Sequence, residues 1–151
     1  MDKDVAQIGE VLVRYATGID QKDWTLFRTC WADEIDVDYA EVGKFTDPDV
    51  FTELIEQLHG SMGATYHRLT NFVIDVEGDE ATARSYVHAV LMLVPGDPDN
   101  WIDVVGHYDD VFARTTNGWR IRKRSTSMAR MLTGGARAGA ATAAGIDDAR
   151  A

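Results

Sequence analysis

The sequence predicts an α+β fold: N-terminal helices, then a long, curved, mostly antiparallel sheet wrapped around them, with the helices packed on one concave face. Three observations carry this. Apolar residues recur every three or four positions in the N-terminal part, the period changes to two from Thr65 onward, and turn-rich links join the later segments. Links that short make successive strands an antiparallel meander.

The elements follow in order. Val5, Ile8, Leu12, Tyr15 and Ile19 paint one stripe on a first helix, and Asp20 falls on the flank of that stripe, where the helix gives out near Gly18. A short second helix is expected from about Asp23, a plausible N-cap, to Trp31. In "EIDVDYA" Ile35, Val37 and Tyr39 alternate with Asp36 and Asp38, the pattern of a half-buried strand. "TDPDVFTELIEQLHGSMG" is the clearest helix: Asp47 caps it, Pro48 takes the first position, and Asp49 lies favourably in the first turn. Its buried stripe is Phe51, Leu54, Ile55, Leu58 and Met62, and Gly60 and Gly63 mark the exit.

Four strands follow, roughly Tyr66–Glu77, Ala81–Val94, Trp101–Thr115 and Gly118–Met131, joined by "EGDE", "PGDPDN" and "TTNG". The odd positions of Ala81–Val94 form its interior face, which points His88 outward. In Trp101–Thr115 the even face is the more apolar, with Tyr108 and Asp110 as polar exceptions. Periodicity does not place His67, because both faces of its strand are apolar enough to be covered. Residues 1–132 form one domain on this reading, and 133–151 a Gly/Ala-rich tail with almost no apolar bulk.

Composition narrows the function. The chain of 151 residues has room for one real core, and its apolar (45%) and charged (26%) fractions are those of a globular protein. A formal charge of −10 argues against nucleic acid and anionic membranes as main partners. The lone Cys30 excludes an internal disulfide and a cysteine metal cage, and fits a reducing cytoplasm. No N-terminal segment reads as a signal peptide, and no apolar run approaches the roughly 18 residues of a membrane span. The expectation is a soluble, cytoplasmic protein.

On residue chemistry alone, Asp20 reads equally well as a turn acid or as half of a catalytic pair, and His67 as a strand histidine. His59 reads as a surface residue near a helix end, and "RIRKRS" (Arg120–Ser125) as a salt-bridged, solvated edge. His88, His107 and Asp109 match no metal motif, so no metal site is expected.

Three segments carry a resemblance. "RYATGIDQKDW", "YHRLTN" and "NGWRI", in this order of elements, resemble the nuclear-transport-factor-2-like superfamily in its polyketide-cyclase-like (SnoaL-like) branch, over about Val5 to Met131. That branch includes scytalone dehydratase, bile-acid 7α-dehydratase and hexachlorocyclohexane dehydrochlorinase. The resemblance implies a cone-shaped, cystatin-like sheet and an Asp–His dyad, with Asp20 as the orienting carboxylate and His67 as general base. It also implies pocket roles for Tyr15, Tyr39 and Tyr108, and Asn71 completes the expected substrate-binding set. Leu91 stands where scytalone dehydratase has a second histidine, and the dehydrochlorinase lysine is absent, so neither substrate is inherited.

The chemistry implied is a cofactor-independent, dehydratase-like lyase acting on a small apolar cyclic or polyketide-like molecule. An isomerase or cyclase using the same base, or a non-catalytic ligand-binding module, are the alternatives. A homo-oligomer, trimer or dimer, is also expected. Phe72, Ile74, Val76, Val90 and Met92 need cover wherever they are not interior.

Overall fold

The computed structural model describes residues 2–135. Most of the expected tail, residues 136–151, therefore lies outside the described residues. Helix α1 (Lys3–Asp20) starts at an Asp2 cap whose side chain accepts from the Asp4 amide, and buries Ile8, Val11, Leu12, Tyr15 and Ile19. After Asp20 the chain turns through Asp23, which caps α2 (Trp24–Arg28) by accepting from Leu26 N–H. This helix is shorter than expected. Trp31 belongs instead to β1 (Trp31–Asp38), because its ring is needed in the core against Phe27 and Phe51. A two-residue strand β2 (Lys44–Phe45), absent from the periodicity, folds back on β1. Helix α3 (Pro48–His59) has the expected Asp47 cap.

Strands β3 (Thr65–Glu77), β4 (Glu80–Val94), β5 (Asp97–Thr115) and β6 (Gly118–Gly134) form the meander. The sheet order is β2-β1-β6-β5-β4-β3, antiparallel throughout except for β1 beside β6. Strand β6 runs two residues past the expected domain boundary at 132, with Gly134 opposite Trp101. A side chain at Gly134 would collide with the Trp101 ring. Ala81, Ala83, Ser85, Val87 and Ala89 of β4 face inward with Val104, Tyr108, Asp110 and Phe112 of β5, matching the expected faces.

Irregularities in β3 and β6 change which side chains point inward. In β3 one extra residue sits between the Thr70↔Tyr86 and Val73↔Arg84 pairs, with Asn71 at φ +56°. Since side chains alternate, one inserted residue flips the face. Before it Thr65, His67 and Leu69 point inward; after it Ile74 and Val76 do. Phe72 and Ile74 thereby turn toward α1 and line a groove with its Val5, Gly9 and Val13 rather than covering an outer face. In β6 a second shift, between the Val111↔Lys123 and Phe112↔Ile121 pairs, puts both Arg122 and Lys123 outside and sends Arg124 into the core. The basic run is a solvated edge only in part. Arg122 pairs with Glu80 and Lys123 with Asp36 at the surface, whereas Arg124 forms a fully buried, two-pronged bond to Asp110 at 2.7 and 2.7 Å.

At the far end of the sheet Arg114 grips the carboxylate of Asp4 with two hydrogen bonds of 2.8 and 2.9 Å. Trp119 donates its indole N–H to the same group at 2.9 Å, which ties the start of α1 to the last hairpin. Among the described residues no helix is long and apolar enough to cross a membrane.

Candidate active site

The site begins where α1 ends. Gly18 is buried with α2 lying directly on it: a β-carbon there would sit 2.9 Å from the Phe27 amide nitrogen. Only glycine lets the α1–α2 corner close, and that corner aims Asp20 at the first residues of β3. The Asp20 carboxylate then takes three donors from β3: Thr65 Oγ1 at 2.9 Å, the His67 amide at 2.8 Å and His67 Nδ1 at 2.7 Å. Because a carboxylate only accepts, Nδ1 of the His67 ring carries the hydrogen, and in the neutral ring Nε2 is left bare. The His67 side chain is 6% exposed and lines a partly open cavity of about 410 Å³.

That cavity lies between α3 and the inner face of the sheet. Its walls are largely apolar, with Val87, Leu91, Val104 and Met128 supplied by the strands and Leu58 by α3. Tyr39 and Tyr108 are on the wall; Tyr15, fully buried, lies behind them. The three hydroxyls form one cluster: Tyr15 bonds to Tyr39, and Tyr108 stands 3.3 Å from Tyr15 and 3.4 Å from Tyr39. Burial raises Tyr15 and Tyr108 well above an ordinary phenol, so both keep their protons.

The Arg124 guanidinium lies 4.3 Å from the Tyr15 ring centre and 3.9 Å from that of Tyr108. Burial alone would lower Arg124, but the charge and hydrogen bonds of Asp110 outweigh it and hold the guanidinium charged.

The dyad partners and two of the expected pocket tyrosines thus converge, with Tyr15 as support. Asn71 does not. It is exposed at the β3 bulge, in the left-handed backbone region that asparagine tolerates, and touches no part of the cavity wall. The sequence reading also misplaces His59, which is buried on the cavity wall with its ring 5.9 Å from that of His67. The signal was present, since His59 follows Ile55 by four on the buried stripe. On the outer face His88 pairs with Asp103 at 3.0 Å and His107 with Asp109 at 3.4 Å. Among the described residues no group of three or more His, Cys, Asp or Glu side chains is placed to hold a metal ion. Cys30 is buried, which pushes its thiol up to about 12, far from a reactive thiolate.

Comparisons agree with this architecture. An uncharacterized protein of Mycobacterium tuberculosis is 30% identical over 123 residues, covering 80% of this chain and 82% of that protein. A Kribbella flavida protein of solved structure superposes with a TM-score of 0.78 at 30% identity, covering 85% of this chain and 93% of the other. The type 3 hexachlorocyclohexane dehydrochlorinase of Novosphingobium barchaimii shares the fold, with a TM-score of 0.73 at 18% identity over 85% of this chain and 88% of its own. The SnoaL-like domain model matches residues 3–125, so the chain belongs to the SnoaL-like domain family.

Proposed function

We propose that the protein is a cofactor-independent, dehydratase-like lyase acting on a small apolar cyclic or polyketide-like carbonyl compound. The observation that carries this reading is a single cavity wall bearing both His67, held by Asp20, and the Tyr39 and Tyr108 hydroxyls. In the proposed reaction the carbonyl oxygen of the substrate sits against the tyrosine hydroxyls. His67 Nε2 takes a proton from the adjacent carbon, and the C–H electron pair moves into a new C=C bond as the carbonyl becomes an enolate. Hydrogen bonds from Tyr39 and Tyr108 stabilise the enolate oxygen. The enolate then reforms the carbonyl and expels the leaving group from the β-carbon. For hydroxide, the imidazolium proton leaves with it as water and the neutral base is restored. Asp20 stabilises the imidazolium in between. A dehydrochlorinase among the structural neighbours supports elimination as chemistry this fold accommodates.

A second reading, isomerisation or ring closure by the same base, is favoured by Leu91. Scytalone dehydratase has a second histidine where this chain places an apolar wall, and returning the same proton to another carbon needs no such group. A panel of β-hydroxy cyclic ketones incubated with wild type and His67→Ala tests both readings by mass spectrometry. Loss of one water supports elimination, and an unchanged mass with a shifted double bond supports isomerisation. Equal behaviour of the two proteins leaves ligand binding alone. We also propose a homo-oligomer through the outer sheet face, where Tyr66 and Tyr86 are 56% and 53% exposed. Light scattering on the purified protein tests that assembly.

A further inference from the structure

His59 is a buried imidazole in the cavity for which the elimination just described has no use. It closes α3, packs against the Trp24 ring at 6.4 Å and faces His67 at 5.9 Å between ring centres. Its Nδ1 lies 2.9 Å from the Ile55 carbonyl one turn back. A carbonyl oxygen only accepts, so Nδ1 carries the ring hydrogen and Nε2 holds a bare lone pair. That Nε2 has no hydrogen-bond partner among the described residues. The cavity wall thus presents donors at Tyr39 and Tyr108, a base at His67 and a buried acceptor at His59, with the exposed Glu41 and Arg130 as its charged lining groups.

Resting on the lyase reading above, we propose that His59 is a specificity-determining residue: its Nε2 accepts a hydrogen bond from a substrate hydroxyl that is not the leaving group. The substrate class this selects is a hydroxylated cyclic carbonyl compound, with one oxygen at the tyrosine cluster and a second, protonated oxygen on the α3 side. The tautomer decides the sign of the preference. An acceptor on a largely apolar wall favours a hydroxyl over a hydrogen, because a ligand that displaces water from Nε2 without offering a donor leaves that lone pair unmatched. It disfavours an ether or a second carbonyl at the same place. Burial holds His59 below its ordinary value, which keeps the ring neutral and accepting near pH 7. The charged and titratable groups around it are His67, Asp20 and Lys22, and Lys22 is itself bound to the Met62 carbonyl at 2.6 Å.

The test measures binding of phenol, resorcinol and 3-methoxyphenol to wild type, His59→Phe and His59→Gln by calorimetry. Phenol reads the tyrosine cluster, and the second oxygen of the other two reads the α3 side. In wild type, resorcinol binds roughly three- to tenfold tighter than phenol, as one neutral hydrogen bond allows, and 3-methoxyphenol gains nothing. In His59→Phe the resorcinol advantage disappears while phenol affinity holds; in His59→Gln, which keeps an acceptor oxygen, part of the advantage remains. An unchanged resorcinol-to-phenol ratio in His59→Phe overturns the assignment, as does failure of all three compounds to bind the wild type. If His59→Phe does not fold, the His59→Gln ratio and the wild-type preference for hydroxyl over methoxy decide the same question. No turnover enters the comparison. An inactive dyad with an intact ratio therefore sinks the lyase reading alone, and an active dyad with an unchanged ratio sinks only the role of His59.

Discussion

Asp20 is the side chain on which the site turns, and its three hydrogen bonds all come from two residues of β3. Replacing His67 with Ala should lower turnover by about 10²–10⁴-fold, the usual contribution of a positioned base, with the circular dichroism spectrum unchanged. Tyr108→Phe removes a hydroxyl at the cavity wall and should cost about 10²–10³-fold in kcat. Tyr15→Phe should cost less, because that hydroxyl reaches the substrate only through Tyr39 and Tyr108. Burial lowers His59 from 6.5, so its NMR titration should have a midpoint below that value. The folded state then binds fewer protons than the unfolded one. The contribution of His59 to stability is unaffected above the unfolded value near 6.5 and becomes increasingly unfavourable as pH falls from there toward its folded value. At this scale the sequence was half legible. The spacing that put Asp20 on a helix flank was visible, but periodicity did not place His67, because burial on a cavity wall depends on side chains from distant strands; His59 was read as a surface residue although its spacing from Ile55 put it on the buried stripe.

At the scale of elements, two positions test how the site is aimed. Gly18→Ala drives a methyl group into the Phe27 backbone, so α2 must move. We expect lower thermal stability together with lower activity, since the same corner points Asp20 at His67. The bulge at Asn71 is the second position. With φ at +56°, Asn71→Val should destabilise by about 1–3 kcal/mol in urea unfolding, whereas Asn71→Gly should be near neutral. Helix caps and hairpin links were readable from local chemistry, as Asp47 and Pro48 show. The bulges at Asn71 and Arg122 were not. Each is a single inserted residue defined by the neighbouring strand, and each reverses which side chains face inward. That is why Phe72 and Ile74 turn toward α1 and why Arg124 of a basic run enters the core.

Over the whole molecule, the sheet is held as one unit by Arg124 and Asp110 at its centre and by Asp4, Arg114 and Trp119 at its far end. Asp110→Asn leaves a buried guanidinium without its counter-charge and should cost about 3–5 kcal/mol in urea unfolding. Arg114 and Trp119 hold Asp4 down at about 2. The stability it contributes is full above the ordinary carboxylate value of 3.8 and falls as pH drops through 3.8 toward 2, so acid should loosen α1 from the last hairpin. The α+β order was legible because helical and strand periods occupy separate stretches; the parallel β1–β6 pair was not, since it joins segments far apart in the chain.

The most direct test of the dyad is the tautomer of His67, read from the ring nitrogen shifts of ¹⁵N-labelled protein at pH 8, in wild type and in Asp20→Asn. Nδ1 should carry the hydrogen and Nε2 should be bare in wild type, and that preference should weaken or reverse once the carboxylate is gone. A His67 ring protonated at Nε2 in the wild type, or one indifferent to Asp20→Asn, would contradict the dyad and the proton abstraction built on it.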